Sequence, residues 1–230
     1  MGSTFNGMWV EGLEIADVVR RLGADTTSGK KCSWADLRKG MEIGEGIGIV
    51  WVGHLVGNWT QIIHVGIEAL DVLPTLSAGD RRALHMSWHV NGIGDLLYAV
   101  DGNYVTLFSV TRPGRSRGPI PHALDSYAEG LQFDAGDSSW ENDPDLPTGW
   151  MEYSAWEEER EARLEDDMSE DDYEGVQPGW TDLMDLAING YSPPLATCIT
   201  SAFTLVGRVT GRELDDEWMK GVHTRFFITQ

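Results

Sequence analysis

The charge of this chain is concentrated in one stretch. Between Asp134 and Asp185 lie nineteen acidic residues against two basic ones, Arg160 and Arg163, so this stretch carries −17 of the formal −20. The rest holds 18 acids and 15 bases and is close to neutral. Crowded carboxylates repel one another and favour a solvated arm over a packed one. The acidic stretch therefore reads as an insertion, 134–180, within a single domain spanning 1–230. A hydrophobic content of 41% and ten tryptophans argue against global disorder. A chain of 230 residues can bury one substantial core.

The acidity also selects partners. With a pI near 4.5 most of the surface repels phosphates, which argues against direct nucleic-acid binding and favours a basic protein partner. Cys32 and Cys198 fit neither a disulfide framework nor a zinc spacing and read as reduced thiols. The N-terminus lacks the basic start and apolar run of a signal peptide, and no apolar stretch approaches the roughly 20 residues of a membrane span. A cytoplasmic location is expected.

Hydrophobic periodicity supplies the elements. Leu13, Ala16, Val19 and Leu22 fall at helical spacing, with Gly23 as a stop. Residues 47–55 and 59–65 are β-branched and aromatic around a Val56-Gly57-Asn58 turn, and read as a hairpin. A strand is expected at 82–90. A second hairpin, 95–100 with 104–110, turns at Asp101-Gly102, a pair suited to positive φ. Residues 111–121 read as a basic, Gly- and Pro-rich loop. Helices are expected at 122–131, 151–168, 181–188, 195–207 and 213–220, and a closing strand at 223–229. The pattern predicts an α+β fold: an antiparallel sheet of about five or six strands flanked by N- and C-terminal helices, with an acidic helical insertion.

Several short motifs resemble an uncharacterised family of actinobacterial proteins, a domain of unknown function. They are Leu22-Gly23-Ala24-Asp25, Leu76-Ser77-Ala78-Gly79, Tyr98-Ala99-Val100-Asp101-Gly102, and Val209-Thr210-Gly211-Arg212-Glu213-Leu214. The resemblance implies a bacterial cytoplasmic protein and carries no catalytic residues with it.

Three constellations bear on chemistry. Gly114-Arg115-Ser116-Arg117-Gly118 matches the G-x-S-x-G of a nucleophile elbow, but Pro119 and Pro121 obstruct the helix that an elbow needs after its serine. His85 and His89 would share one face of a strand and could meet a metal with His54 or His64; the helical metalloprotease pattern fails, because Met86 stands where it needs glutamate. The acidic stretch interleaves Trp140, Trp150, Tyr153, Trp156, Tyr173 and Trp180 with its charge. Carboxylates steer a basic partner, and aromatic rings anchor it. The expected role is thus non-enzymatic: an adaptor, inhibitor or immunity-type protein. Glu157, Glu158, Glu159, Glu161, Asp166 and Asp167 would supply charge, with Trp150 and Trp156 as anchors. No catalytic residue, metal or cofactor is assigned. The alternatives are a subunit of a larger bacterial assembly, or a small-molecule binder or hydrolase using a sheet-face site with His85, His89, Arg115 and Ser116.

Overall fold

The computed structural model describes residues 4–33, 47–89, 92–136, 138–164, 177–188, 191–215 and 217–229. Nine strands among them form one antiparallel sheet. In chain order these are β1 (Thr4–Glu11), β2 (Lys30–Cys32), β3 (Ile47–Val56), β4 (Trp59–Val65), β5 (Arg82–His89), β6 (Gly92–Ile93), β7 (Leu96–Val100), β8 (Asn103–Phe108) and β9 (His223–Thr229). The spatial order is β2-β9-β3-β4-β1-β5-β7-β8, with β6 paired to β5. The α+β class stands, but the sheet is larger than the five or six strands that composition suggests.

The strands that composition misses have a physical explanation. β1 lies between β4 and β5 near the middle of the sheet, yet it carries Asn6 and Gly7, which weaken its strand signal. Gly7 is there because neighbouring rings fill the space: a Cβ at this position would lie 2.6 Å from the Phe5 ring and 3.0 Å from Trp9. β2 and β6 are only three and two residues long and offer no periodicity to read.

Helices cover both faces of the sheet. On one face Trp9, Trp51, Trp59, Leu84, Met86 and Trp88 pack with Ala202, Phe203, Val206 and Val209 of α6 (Pro193–Thr210; helices are numbered in chain order, α1 to α6) and with Trp218. Phe5 stacks on Trp88 at 4.4 Å, and Phe203 closes edge-on over both rings at 5.5 and 5.3 Å. On the other face Met8, Val50, Val52, Ile62 and Ala83 pack with Val18 and Val19 of α1 (Ile15–Arg21) and Leu73 and Leu76 of α2 (Ala69–Ser77). Burial on both faces explains why β3 is apolar almost throughout rather than alternating.

Helix α2 escapes the sequence reading because Pro74 lies inside it. Proline cannot donate to the carbonyl four residues back, Leu70 O. The Tyr104 hydroxyl from β8 donates to that oxygen at 2.7 Å, so the lost helical bond is replaced by a tertiary one. The β7–β8 turn forms as expected, with Asp101 and Gly102 at φ 47° and 77°. Asp101 Oδ1 also accepts from the backbone N–H groups of Asp80 and Gly79, both at 3.0 Å, which tie the turn to the end of α2 and hold this carboxyl below its ordinary pKa. The helix expected at 122–131 shrinks to α3 (Asp125–Ala128), and that at 213–220 to a 3-10 turn at Trp218–Lys220. α6 ends at Gly211, φ 80°, whose N–H donates to Gly207 O.

Candidate functional site

The acidic limb contains α4 (Trp150–Leu164) and α5 (Thr181–Ile188). These two helices meet through Trp150, Tyr153, Trp180 and Leu183, each no more than 8% exposed. The cluster is separate from both sheet cores. Tyr153 and Trp156 approach Trp180 at 5.9 and 5.5 Å, and Tyr191 sits edge-on to Trp150 at 4.9 Å. The rings are spent holding the helices together. Trp150 is therefore not an exposed anchor, contrary to the sequence expectation; it is 5% exposed. Trp156 is half-buried, and the Arg160 guanidinium lies 5.6 Å above its ring. Tyr153, Trp156 and Arg160 do share a face, as their i, i+3, i+7 spacing predicts.

The carboxylates differ in exposure. Glu157 is not free for a partner: both its oxygens accept from Arg160, at 2.6 and 3.1 Å. Glu152, Glu158 and Glu159 are exposed. Asp166 and Asp167 lie outside the described residues, as does the side chain of Glu161. Among the described residues of the limb the large apolar side chains that reach solvent are Met151, Leu186 and Ile188, the last 77% exposed. Pattern reasoning missed them because it equated anchors with tryptophan.

The alternative catalytic constellation does not assemble. Leu84 and Met86 of β5 point into the α6 face, so by alternation His85 points to the opposite one. Ser116 closes a turn: its hydroxyl donates to Pro113 O at 2.8 Å and accepts from Ser109 N–H at 3.1 Å. His122, in the segment after this turn, lies on the surface with its Nδ1 2.9 Å from Asp125 Oδ2. His89 is exposed. Cys198 is buried, its thiol donates to Phe133 O at 3.2 Å, and burial pushes its pKa up to about 11, which makes it inert.

His85 does meet His64, whose ring centroid is 5.5 Å away. Both are buried, 6% and 2% exposed, and none of their four ring nitrogens has a hydrogen-bond partner. Burial lowers the pKa of His85 to about 4; burial, then repulsion from His85, lowers that of His64 to about 3. Both are neutral at pH 7.

Arg115 takes part in a different feature. Arg112, Arg115 and Arg117 line a cleft of about 730 Å³ between the sheet edge, residues 135–136 and the start of α6. The loop that presents them is well held. Arg117 and Leu107 exchange both backbone bonds at 2.8 and 3.0 Å, and Arg115 N–H donates to Arg112 O at 2.8 Å. The basic composition of 111–121 was visible in sequence; its closure into a cleft depends on long-range pairing and was not.

No family model, curated protein or solved structure matches this chain. Among the described residues no helix is long and apolar enough to cross a membrane.

Proposed function

We propose that this chain is a non-enzymatic binding protein, of the adaptor, inhibitor or immunity type, whose acidic limb receives a basic protein surface. One observation carries the reading: the limb has its own hydrophobic cluster, three aromatic rings of Trp150, Tyr153 and Trp180 with Leu183. Such a cluster keeps a charged helix folded against its own repulsion and holds Glu152, Glu158 and Glu159 outward on a stiff rod. A fixed array of carboxylates steers a cationic partner and raises the encounter rate. Charge alone gives little affinity once partners touch. Met151, Leu186 and Ile188 supply the apolar contact that the sequence reading assigned to Trp150 and Trp156.

The test is affinity capture from an actinobacterial lysate with wild type and a Glu152→Lys, Glu158→Lys, Glu159→Lys variant side by side. Proteins of high pI, retained by wild type, released by about 0.3 M salt and lost by the variant, are the expected result. Identical capture by both would end the proposal.

A further inference from the structure

The arginine cleft is a local cationic site on an otherwise acidic molecule. Within it Arg117 is paired to Asp95 at 3.0 Å. Arg112 and Arg115 are exposed and make no ion pair among the described residues. Among the described lining residues the cleft therefore holds three guanidinium groups against one carboxylate. Global charge does not cancel this, because interactions between exposed charges fade over about 8 Å at physiological salt. Guanidinium groups present forked donors that match phosphate and carboxylate oxygens. Ser109 and Thr111 also line the cleft, as do the apolar Ile93, Ala135 and Leu195. The volume lies within the range of small-molecule pockets.

The loop is preorganised for this role. Ser116 braces it from below through Pro113 and Ser109, and the Leu107–Arg117 bridge joins it to β8. Gly118, at φ 120°, lets the chain pass so close to β8 that a Cβ would lie 2.7 Å from Val105 O. The arginines thus leave a fixed backbone, so less entropy is lost when an anion is bound.

We infer that this cleft binds a small organic phosphate monoester: Arg112 and Arg115 hold the dianion, and the apolar Ile93, Ala135 and Leu195 receive the rest of the molecule. This site is independent of the acidic limb's proposed role.

Isothermal titration with adenosine 5′-monophosphate, glucose 6-phosphate, inorganic phosphate and adenosine tests it. At least one of the two esters should bind with Kd below about 1 mM in about 0.15 M salt, tighter than inorganic phosphate, while adenosine does not bind. An Arg112→Gln, Arg115→Gln variant, whose side chains make no ion pair among the described residues, should keep its melting temperature and bind at least tenfold more weakly, as expected for loss of charge-assisted hydrogen bonds. Failure of both esters to saturate, equal binding by the double variant, or inorganic phosphate binding as tightly as the esters would overturn the assignment. A phosphoserine peptide that displaces the esters and binds more tightly would overturn it too, in favour of a protein ligand.

Discussion

The sheet and the acidic limb both bury tryptophans, but in different settings. In the sheet, Trp9, Trp51, Trp59 and Trp88 project from four strands into one layer under α6 and Trp218. Each ring there stands on a strand that is paired on both sides. In the limb, Trp150, Tyr153, Trp180 and Leu183 close chiefly on one another, and the helices they join expose carboxylates and apolar side chains together. The contrast teaches that aromatic residues amid acidic sequence do not by themselves mark a binding surface. Here they are what keeps a self-repelling helix folded. It also implies two levels of stability within one chain: a sheet that opens only with global unfolding, and a limb that opens at lower free energy.

Acid should produce the largest effect and separate the two regions. His64 and His85 have folded-state pKa values near 3 and 4, below the free value of 6.5. The unfolded chain therefore binds protons that the folded one cannot. Their contribution is complete above pH 6.5 and is lost as pH falls toward 4, at up to about 1.4 kcal/mol per pH unit for each histidine. Denaturant melts at pH 7, 6 and 5 should show the sheet weakening steeply, and His85→Leu should flatten that slope. An unchanged slope in the variant would remove the buried pair from the explanation.

Core truncation comes next. Trp9→Ala should cost about 3–5 kcal/mol of global stability, read by chemical denaturation, and should lower the sheet's transition while the limb's own earlier opening stays where it is. Gly7→Ala should cost about 1–3 kcal/mol by forcing a Cβ against Phe5, and Phe5→Leu in the same chain should recover part of it. Tyr104→Phe should cost about 1 kcal/mol, since it leaves Leu70 O without the hydroxyl that replaces the missing Pro74 donor. If Tyr104→Phe is neutral in thermal melts, α2 does not depend on that bond. The smallest effect on stability belongs to Glu158→Lys with Glu159→Lys, expected within about 0.5 kcal/mol of wild type or slightly stabilising.

Much of the fold was legible because local chemistry agreed with tertiary structure. The β3–β4 and β7–β8 hairpins announce themselves through β-branched runs and the Asp101-Gly102 turn, and α5 and β9 occupy the expected residues. What stayed hidden was set by distant partners. β1 reads weakly because Gly7 yields to rings on its own strand, and α2 reads as broken because its repair comes from Tyr104, thirty residues downstream. The limb's helices and charge were readable. The direction of its rings was not, since Trp150 has the same spacing whether it faces solvent or Trp180's cluster. The arginine cleft was visible only as basic loop composition, because its walls come from β6, residues 135–136 and α6.

Native-state hydrogen exchange on wild type and Trp150→Ala tests the division between sheet and limb most directly. Protection of amides in 150–164 and 181–188 should collapse in the variant, while amides of β1, β4 and β5 keep their wild-type rates. Equal loss of protection in the sheet and the limb would mean that one cooperative core holds both, and that the acidic helices are not a separately stapled arm.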